Sequence, residues 1–130
     1  MKNKIAQSLI SKINNFIVDV NSKRFPNNLW IKSNEVQIYI RKGYHILDSE
    51  EIKICLDFAT AEVPDKLKGK GIFTEVLDHF INNSPWEAIY AESVCNLRLV
   101  NFLCEKRGFN LCLGHDRYPE GTRSYFRKTD

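Results

Sequence analysis

The sequence predicts an α/β domain with a mixed sheet, mostly antiparallel but carrying one parallel strand pair, and flanked by helices. Three observations lead there. An apolar stripe at helical spacing opens the chain, period-two alternation follows, and then a strand, a glycine-rich turn, a helix and another strand succeed one another. Strands joined by short turns pair antiparallel, whereas two strands joined through a helix pair in parallel. At 130 residues and 43% hydrophobic, the chain is expected to form a single domain, 1–130, around one core.

Ile5, Leu9, Ile10, Ile13, Phe16, Ile17 and Val20 recur at steps of three and four, while Lys2, Lys4, Lys12, Asn14, Asn15 and Asp19 fall largely elsewhere on the wheel. This predicts an amphipathic helix laid over a sheet; a polar face mixing both signs argues against a membrane anchor. Asn21 to Asn28, with Pro26 inside, reads as a loop. From Leu29 the period changes to two, with Val36, Ile38 and Ile40 alternating against Gln37, Tyr39 and Arg41. Lys42-Gly43 is expected to turn the chain into a strand from Tyr44 to Leu47, and Asp48-Ser49-Glu50-Glu51 to turn it again into a longer strand from Ile52 to Val63. One face of that strand is apolar. The other presents Cys55, Asp57, Ala59 and Ala61, whose small size admits either a ligand or a close-packed helix with Asp57 at a wet edge.

The stretch from Glu62 to Thr74 joins this strand to a helix expected over Ile72 to Ile81. Gly69 and Gly71 lie between Lys66, Lys68 and Lys70, at the positive end of the helix dipole. Such a turn offers bare N–H groups to a phosphate or pyrophosphate, or is a solvated basic turn. Asn82-Asn83-Ser84-Pro85 ends the helix, Trp86 to Ser93 reads as the parallel strand, and a further helix starts near Asn96 and stops at Gly108 after Glu105-Lys106-Arg107. Phe109 to Leu113 is expected as a strand, Gly114 to Gly121 as a loop, and Thr122 to Lys128 as the closing strand.

Net charge is +3, from 19 basic and 16 acidic residues, which is mildly basic and not the footprint of a dedicated nucleic-acid binder. The four cysteines, Cys55, Cys95, Cys104 and Cys112, form no C-x-x-C pair and fall in runs that read as buried, so packing is their expected role. No spacing with His45, His79 or His115 matches a metal site, and none is expected. With no secretory signal and no apolar run near ~18 residues, a cytoplasmic setting without a membrane partner is expected.

The order of elements resembles the GNAT (Gcn5-related) acyltransferase family, most clearly from Ile52 to Phe109. The family signature, Gln or Arg followed by x-x-Gly-x-Gly or Ala, falls on Lys68-Gly69-Lys70-Gly71-Ile72-Phe73. Lys68 replaces the usual first residue, and Phe73 stands where a small residue is common. Asn96 followed by Gly108-Phe109 resembles a second signature, one residue longer than usual. The resemblance implies a GNAT-like fold with the parallel pair at a cofactor cleft, acetyl-CoA as cofactor, and direct attack of a substrate amine on the thioester. It implies that Ala61, Glu62 and Val63 line the pantetheine arm, that Lys68, Gly69, Lys70, Gly71, Ile72, Phe73 and Thr74 hold the pyrophosphate, and that Asn96 and Phe102 are further cofactor contacts. Some members place an acidic base on the strand, about six residues before the position of Val63, where Asp57 stands; Glu92, at the end of the next strand, is the second candidate. Asp57 as the partner of a basic residue, and Glu92 as a carboxylate at a helix start, are the alternatives. Cys104 occupies the position of the usual leaving-group tyrosine, so Tyr118 or Tyr125 supplies the acid or the thiolate leaves unaided, at a reference pKa near ~8.5. The run from Glu92 to Leu99 together with Gly-Lys-Gly-Ile-Phe-Thr resembles short GNAT proteins of bacteriophages and bacteria. The acceptor would be an amine-bearing small molecule or a protein, a host protein included, and a homodimer is a family habit.

Two rivals remain. An inactive module of the same fold would bind a partner through Arg117, Arg123, Arg127 and Lys128; the same tail with Tyr118, Tyr125 and Phe126 gives weak support for nucleic acid. A dinucleotide fingerprint, Gly69-x-Gly71 with Glu92, is opposed by Thr74 at the third glycine position and by the meander before it.

Overall fold

The computed structural model describes residues 4–22, 27–32, 37–62 and 71–129. Among these, α1 (Lys4–Asn21) leads into β1 (Asn28–Lys32), β2 (Gln37–Ile46) and β3 (Ile52–Glu62); α2 (Ile72–Asn83), β4 (Ala88–Ala91), α3 (Leu97–Lys106), β5 (Asn110–Leu111) and β6 (Tyr125–Lys128) follow. The strands form one sheet in the order β1-β2-β3-β4-β6-β5, antiparallel throughout except for β3 beside β4. This is the GNAT-like arrangement that the resemblance implied, a mostly antiparallel sheet with one parallel pair, flanked by helices. Val36, Val63, Lys66, Lys68, Gly69 and Lys70 lie outside the described residues.

The apolar stripes foreseen for α1 and α2 are the ones buried. Ile13 and Phe16 of α1 and Val76, Leu77 and Phe80 of α2 pack with Ile40, Leu56, Phe58 and Ile89 of the sheet, and Leu103 of α3 joins the same core. Asn96 caps α3, its Oδ1 accepting from the N–H groups of Arg98 at 2.9 Å and Leu99 at 3.3 Å. At the other end Gly108 adopts φ 71°, and the N–H of Phe109 folds back to the carbonyl of Leu103 at 2.9 Å, closing the helix.

Five expectations are corrected. Lys42-Gly43 is not a turn: β2 is continuous through it, and Gly43 sits opposite Cys55 because the Asp57 carboxyl lies against it. A Cβ there would be 2.1 Å from Asp57 Oδ2. The parallel strand is shorter than Trp86 to Ser93. Trp86 is tied to Ser84 Oγ and, through its indole, to Asn21 of α1, while Ser93 turns the chain at φ 46°. The strand expected over Phe109 to Leu113 keeps only Asn110 and Leu111, since Phe109 is spent closing α3, and β6 begins at Tyr125 because Thr122 and Arg123 bond back to the preceding loop. Finally, only Cys55 and Cys112 are buried; Cys104 is half-buried and Cys95 is exposed where the chain crosses from β4 to α3.

Candidate functional site

β3 and β4 run together only from Cys55 to Phe58 and from Ala88 to Ala91. The N–H of Glu92 donates to Phe58 O at 3.2 Å, extending the ladder by one bond. There the strands part. Ser93 takes a left-handed φ of 46°, its N–H donates to Ser124 Oγ at 2.9 Å, and the next ladder donor, Val94 N–H, goes instead to Arg123 O at 2.9 Å. β3 meanwhile continues to Glu62 against β2 alone. The β4-side backbone of Ala59 to Glu62 is therefore left without a strand partner among the described residues, an edge that an extended amide-bearing chain can complete.

The opening has a volume of about 290 Å³ and is lined by Phe58 and Ala59 of β3, Phe73 of α2, Ala91 to Asn96, and Leu99 and Leu103 of α3. Gly71 ends its approach to α2 at φ 72°, ψ 17°. That left-handed conformation favours glycine, and no described residue lies within 4 Å of where a Cβ would be. The N–H groups of Ile72, Phe73 and Thr74 have no acceptor within the helix, and Gly71 has no side chain to cap them. Together these features set bare helix N–H groups beside an apolar slot; Phe73, standing where a small residue is common, lines that slot, its ring 6.0 Å from Phe58 and perpendicular to it.

Asp57 and Glu92, expected separately, are joined by a residue that the sequence reading passed over. Arg41 donates from Nε to Asp57 Oδ2 at 2.9 Å and from Nη2 to Glu92 Oε1. Burial works against the Arg41 charge, but the hydrogen bonds and charges of the two carboxylates outweigh it and hold the guanidinium above its ordinary pKa. Asp57 is fully buried and also meets His45 Nε2 at 2.7 Å, so it is not at a wet edge. Its other oxygen, Oδ1, has no hydrogen-bond partner among the described residues. The His45 ring stacks on Tyr90 at 3.6 Å. Burial pushes the Tyr90 phenol up to about 12, against a hydrogen bond with Ser124, and pushes the Cys55 and Cys112 thiols up to about 12 as well. This second face of the sheet is thus polar yet dry. A signal for Arg41 and His45 was present: with Gly43 they occupy alternate positions of β2, the same parity that faces Asp57 once the strand is read through.

Of the two carboxylates only Glu92 lines the opening. Asn96 lines it too, although its side chain is committed to capping α3. Phe102 is not among the lining residues; its ring lies under the guanidinium of Arg107, which also grips Asp78 of α2 at 2.6 Å. Cys104, half-buried on α3, has a thiol raised first by burial and then by Glu105. Tyr125 is buried and borders a different cleft with Cys95 and Arg123, and Tyr118 is exposed against His115. Neither tyrosine lines the opening between β3 and β4. In the tail, Arg123 is held by the carbonyls of Tyr118 and Asp116, and Lys128 pairs with Asp48 at 2.8 Å. No group of metal-ligating side chains occurs among the described residues, and no described helix is long and apolar enough to cross a membrane.

No protein-family model matches the chain, and no curated protein matches it in sequence. Among solved structures, a chain of the KacTA–DNA complex is similar over 92% of this chain and 80% of its own length, with a TM-score of 0.53 at 10% identity. An acetyltransferase of the GNAT family from Staphylococcus aureus Mu50 is similar over 99% and 96%, at a TM-score of 0.43 and 15% identity, too loose a superposition to carry weight. At such identities the first likeness is one of fold alone: the order and packing of elements described above recur in another protein.

Proposed function

We propose that the chain binds acetyl-CoA between β3 and β4 and transfers its acetyl group to an amine, as an acyl-CoA-dependent N-acetyltransferase. The observation that carries this reading is the parting of the parallel strands beside the bare start of α2. The pyrophosphate would sit on the N–H groups from Gly71 to Thr74, with Lys68, Gly69 and Lys70 completing the turn. The pantetheine amides would pair with the open backbone of Ala61 and Glu62 and continue to Val63, and the thioester would lie against Phe58, Phe73 and Ala91 in the slot. The acceptor amine loses a proton to Glu92, attacks the carbonyl, and the CoA thiolate leaves unaided, since no tyrosine lines the slot. Asp57 acts through Arg41, which orients the Glu92 carboxylate. The acceptor is an amine-bearing small molecule or protein, the setting a bacterial cytoplasm, and the source class the short phage or bacterial type.

A second reading, a partner-holding module of the same fold without turnover, is favoured by one observation: a single guanidinium engages both candidate bases. Incubating the protein with acetyl-CoA and a panel of amines, with free thiol followed over time, separates the two. Turnover with at least one amine is expected, and Glu92→Gln should lower kcat by ~10²-fold or more while leaving acetyl-CoA affinity within ~3-fold. Binding without thiol release would support the second reading, and an unchanged rate would remove Glu92 from the mechanism. Duplex DNA belongs in the same titration; the net charge of +3 gives it little support.

A further inference from the structure

A second cleft, of about 380 Å³, lies beside the proposed cofactor opening and has no part in the chemistry described above. Val94 and Cys95 belong to both walls, but α3 turns a different face to each: Leu99 and Leu103 to the opening, Leu97, Val100 and Asn101 to the cleft. The facing wall is the loop before β6. It is held close, since the Val94 N–H donates to Arg123 O at 2.9 Å and a Cβ on Gly121 would stand 3.9 Å from Cys95 Cα. Within the loop the Thr122 N–H donates to Pro119 O at 3.2 Å, a tight turn that fixes the backbone of Glu120.

Two polar groups of this cleft stand without partners. Tyr125 lines it at 8% exposure, yet its hydroxyl makes no hydrogen bond among the described residues. A hydroxyl so nearly buried ordinarily finds one, and a ligand can supply it. The Glu120 carboxylate, also in the lining, has no hydrogen-bond or ion-pair partner among the described residues either. It stands close enough to Tyr125 to act on its phenol, whose pKa is raised first by burial. Arg123 is already engaged, its Nε on Tyr118 O at 2.8 Å and its Nη2 on Asp116 O at 3.3 Å. We propose that this cleft binds a primary ammonium carried on an apolar chain. An ammonium has three donors, and the free groups offer it oxygens of Glu120, Tyr125 and Asn101. The chain would lie along Val94, Val100 and Leu97, which at 62% exposure has the most apolar surface to cover. An anion would meet only a guanidinium held by two carbonyls, and a neutral alcohol gives Glu120 no counter-charge. The site is distinct from that of acetyl transfer, for Phe58, Phe73 and Glu92 are not in its lining.

Hexylamine, protonated at neutral pH, is the probe, and an amide-resolved NMR titration of the whole chain without acetyl-CoA tests it independently of any acetyl transfer. Saturable shifts at the amides of Val94, Leu97, Val100 and Gly121 are expected at millimolar hexylammonium, with hexan-1-ol and hexanoate binding ~10-fold more weakly or worse. Glu120→Gln should weaken hexylammonium by ~10-fold and Tyr125→Phe by ~3-fold. Glu120 is exposed, and Tyr125→Phe keeps its ring in the core, so both variants retain their fold. Shifts that do not saturate or that fall on other residues overturn the inference. So does an affinity for hexan-1-ol equal to that for hexylammonium, or a Glu120→Gln protein that binds as well as the parent.

Discussion

On the helix-covered face of the sheet, Leu56, Phe58, Ile89 and Ala91 meet apolar side chains of α1 and α2; on the other face their sequence neighbours Cys55, Asp57, Ala88 and Tyr90 meet Arg41, His45 and Ser124. Both faces are buried, but by different means. The first is held by area and packing, where each side chain contributes through the water it leaves and the void it fills. The second is held by direction: a buried carboxylate is tolerable only while its cationic partners stay in place. Tolerance of substitution should differ accordingly, since an apolar core absorbs changes of shape whereas a paired charge cannot lose one partner without stranding the other.

The largest loss is expected on the apolar face. Phe80→Ala empties a fully buried site and should cost ~3–5 kcal/mol in urea unfolding, with acetyl-CoA affinity of the folded fraction unchanged, because Phe80 does not line the cofactor opening. A loss of affinity would mean that the packing beneath α2 sets the shape of the opening. On the polar face, Gly43→Ala pushes its Cβ into the Asp57 carboxylate, which must swing away from Arg41 and His45. A cost of ~1–3 kcal/mol is expected, and little or none of it should appear when the same change is made in an Asp57→Ala background. Additive costs would show that the glycine answers to something other than Asp57. The smallest effect concerns His115, whose Nδ1 accepts the Ser124 N–H at 3.0 Å and whose pKa is lowered, first by burial and then by the charge of His45. The folded state favours neutral imidazole, so the unfolded chain binds more protons once pH falls below ~6.5, and the stabilisation present above that value is lost on acidification toward the lower folded pKa. His115→Ala should cost ~1 kcal/mol at pH 8 and flatten the stability profile below pH ~6.5. A mutant profile as steep as the parent's would assign the slope to another group.

Legibility in the sequence follows the same division. The α1 and α2 stripes, the Asn96 cap and the Gly108 stop are local patterns, complete within one element, and they matched the helices to within a residue or two. The left-handed glycine that starts α2, Gly71, was local as well, while the proposed phosphate turn from Lys68 to Lys70 lies outside the described residues. Gly43 misled because its reason lies on the neighbouring strand: a residue that makes room for Asp57 looks, in one dimension, like a residue that makes a turn. Arg41 was hidden in the same way, since its two partners are 16 and 51 residues distant. Asp57 could be singled out from its small neighbours, but not its burial, which depends on β2 and β4 closing over it from both sides. Period and caps speak for elements; the polar network is made between elements, where a linear pattern has no voice.

The central claim is that an acyl-CoA lies between the parted strands with its pyrophosphate on the start of α2, and calorimetric titration of acetyl-CoA into the parent and into Gly71→Asp tests it most directly. The carboxylate would stand beside the bare N–H groups of the helix start, where no described residue meets it, and position 71 would be held at a strained φ of 72°. Measurable binding by the parent and a loss of ~10²-fold or more in the variant, with urea unfolding showing that it remains folded, is the expected result. Equal affinity in the two proteins, or no binding by the parent at millimolar acetyl-CoA, would contradict it.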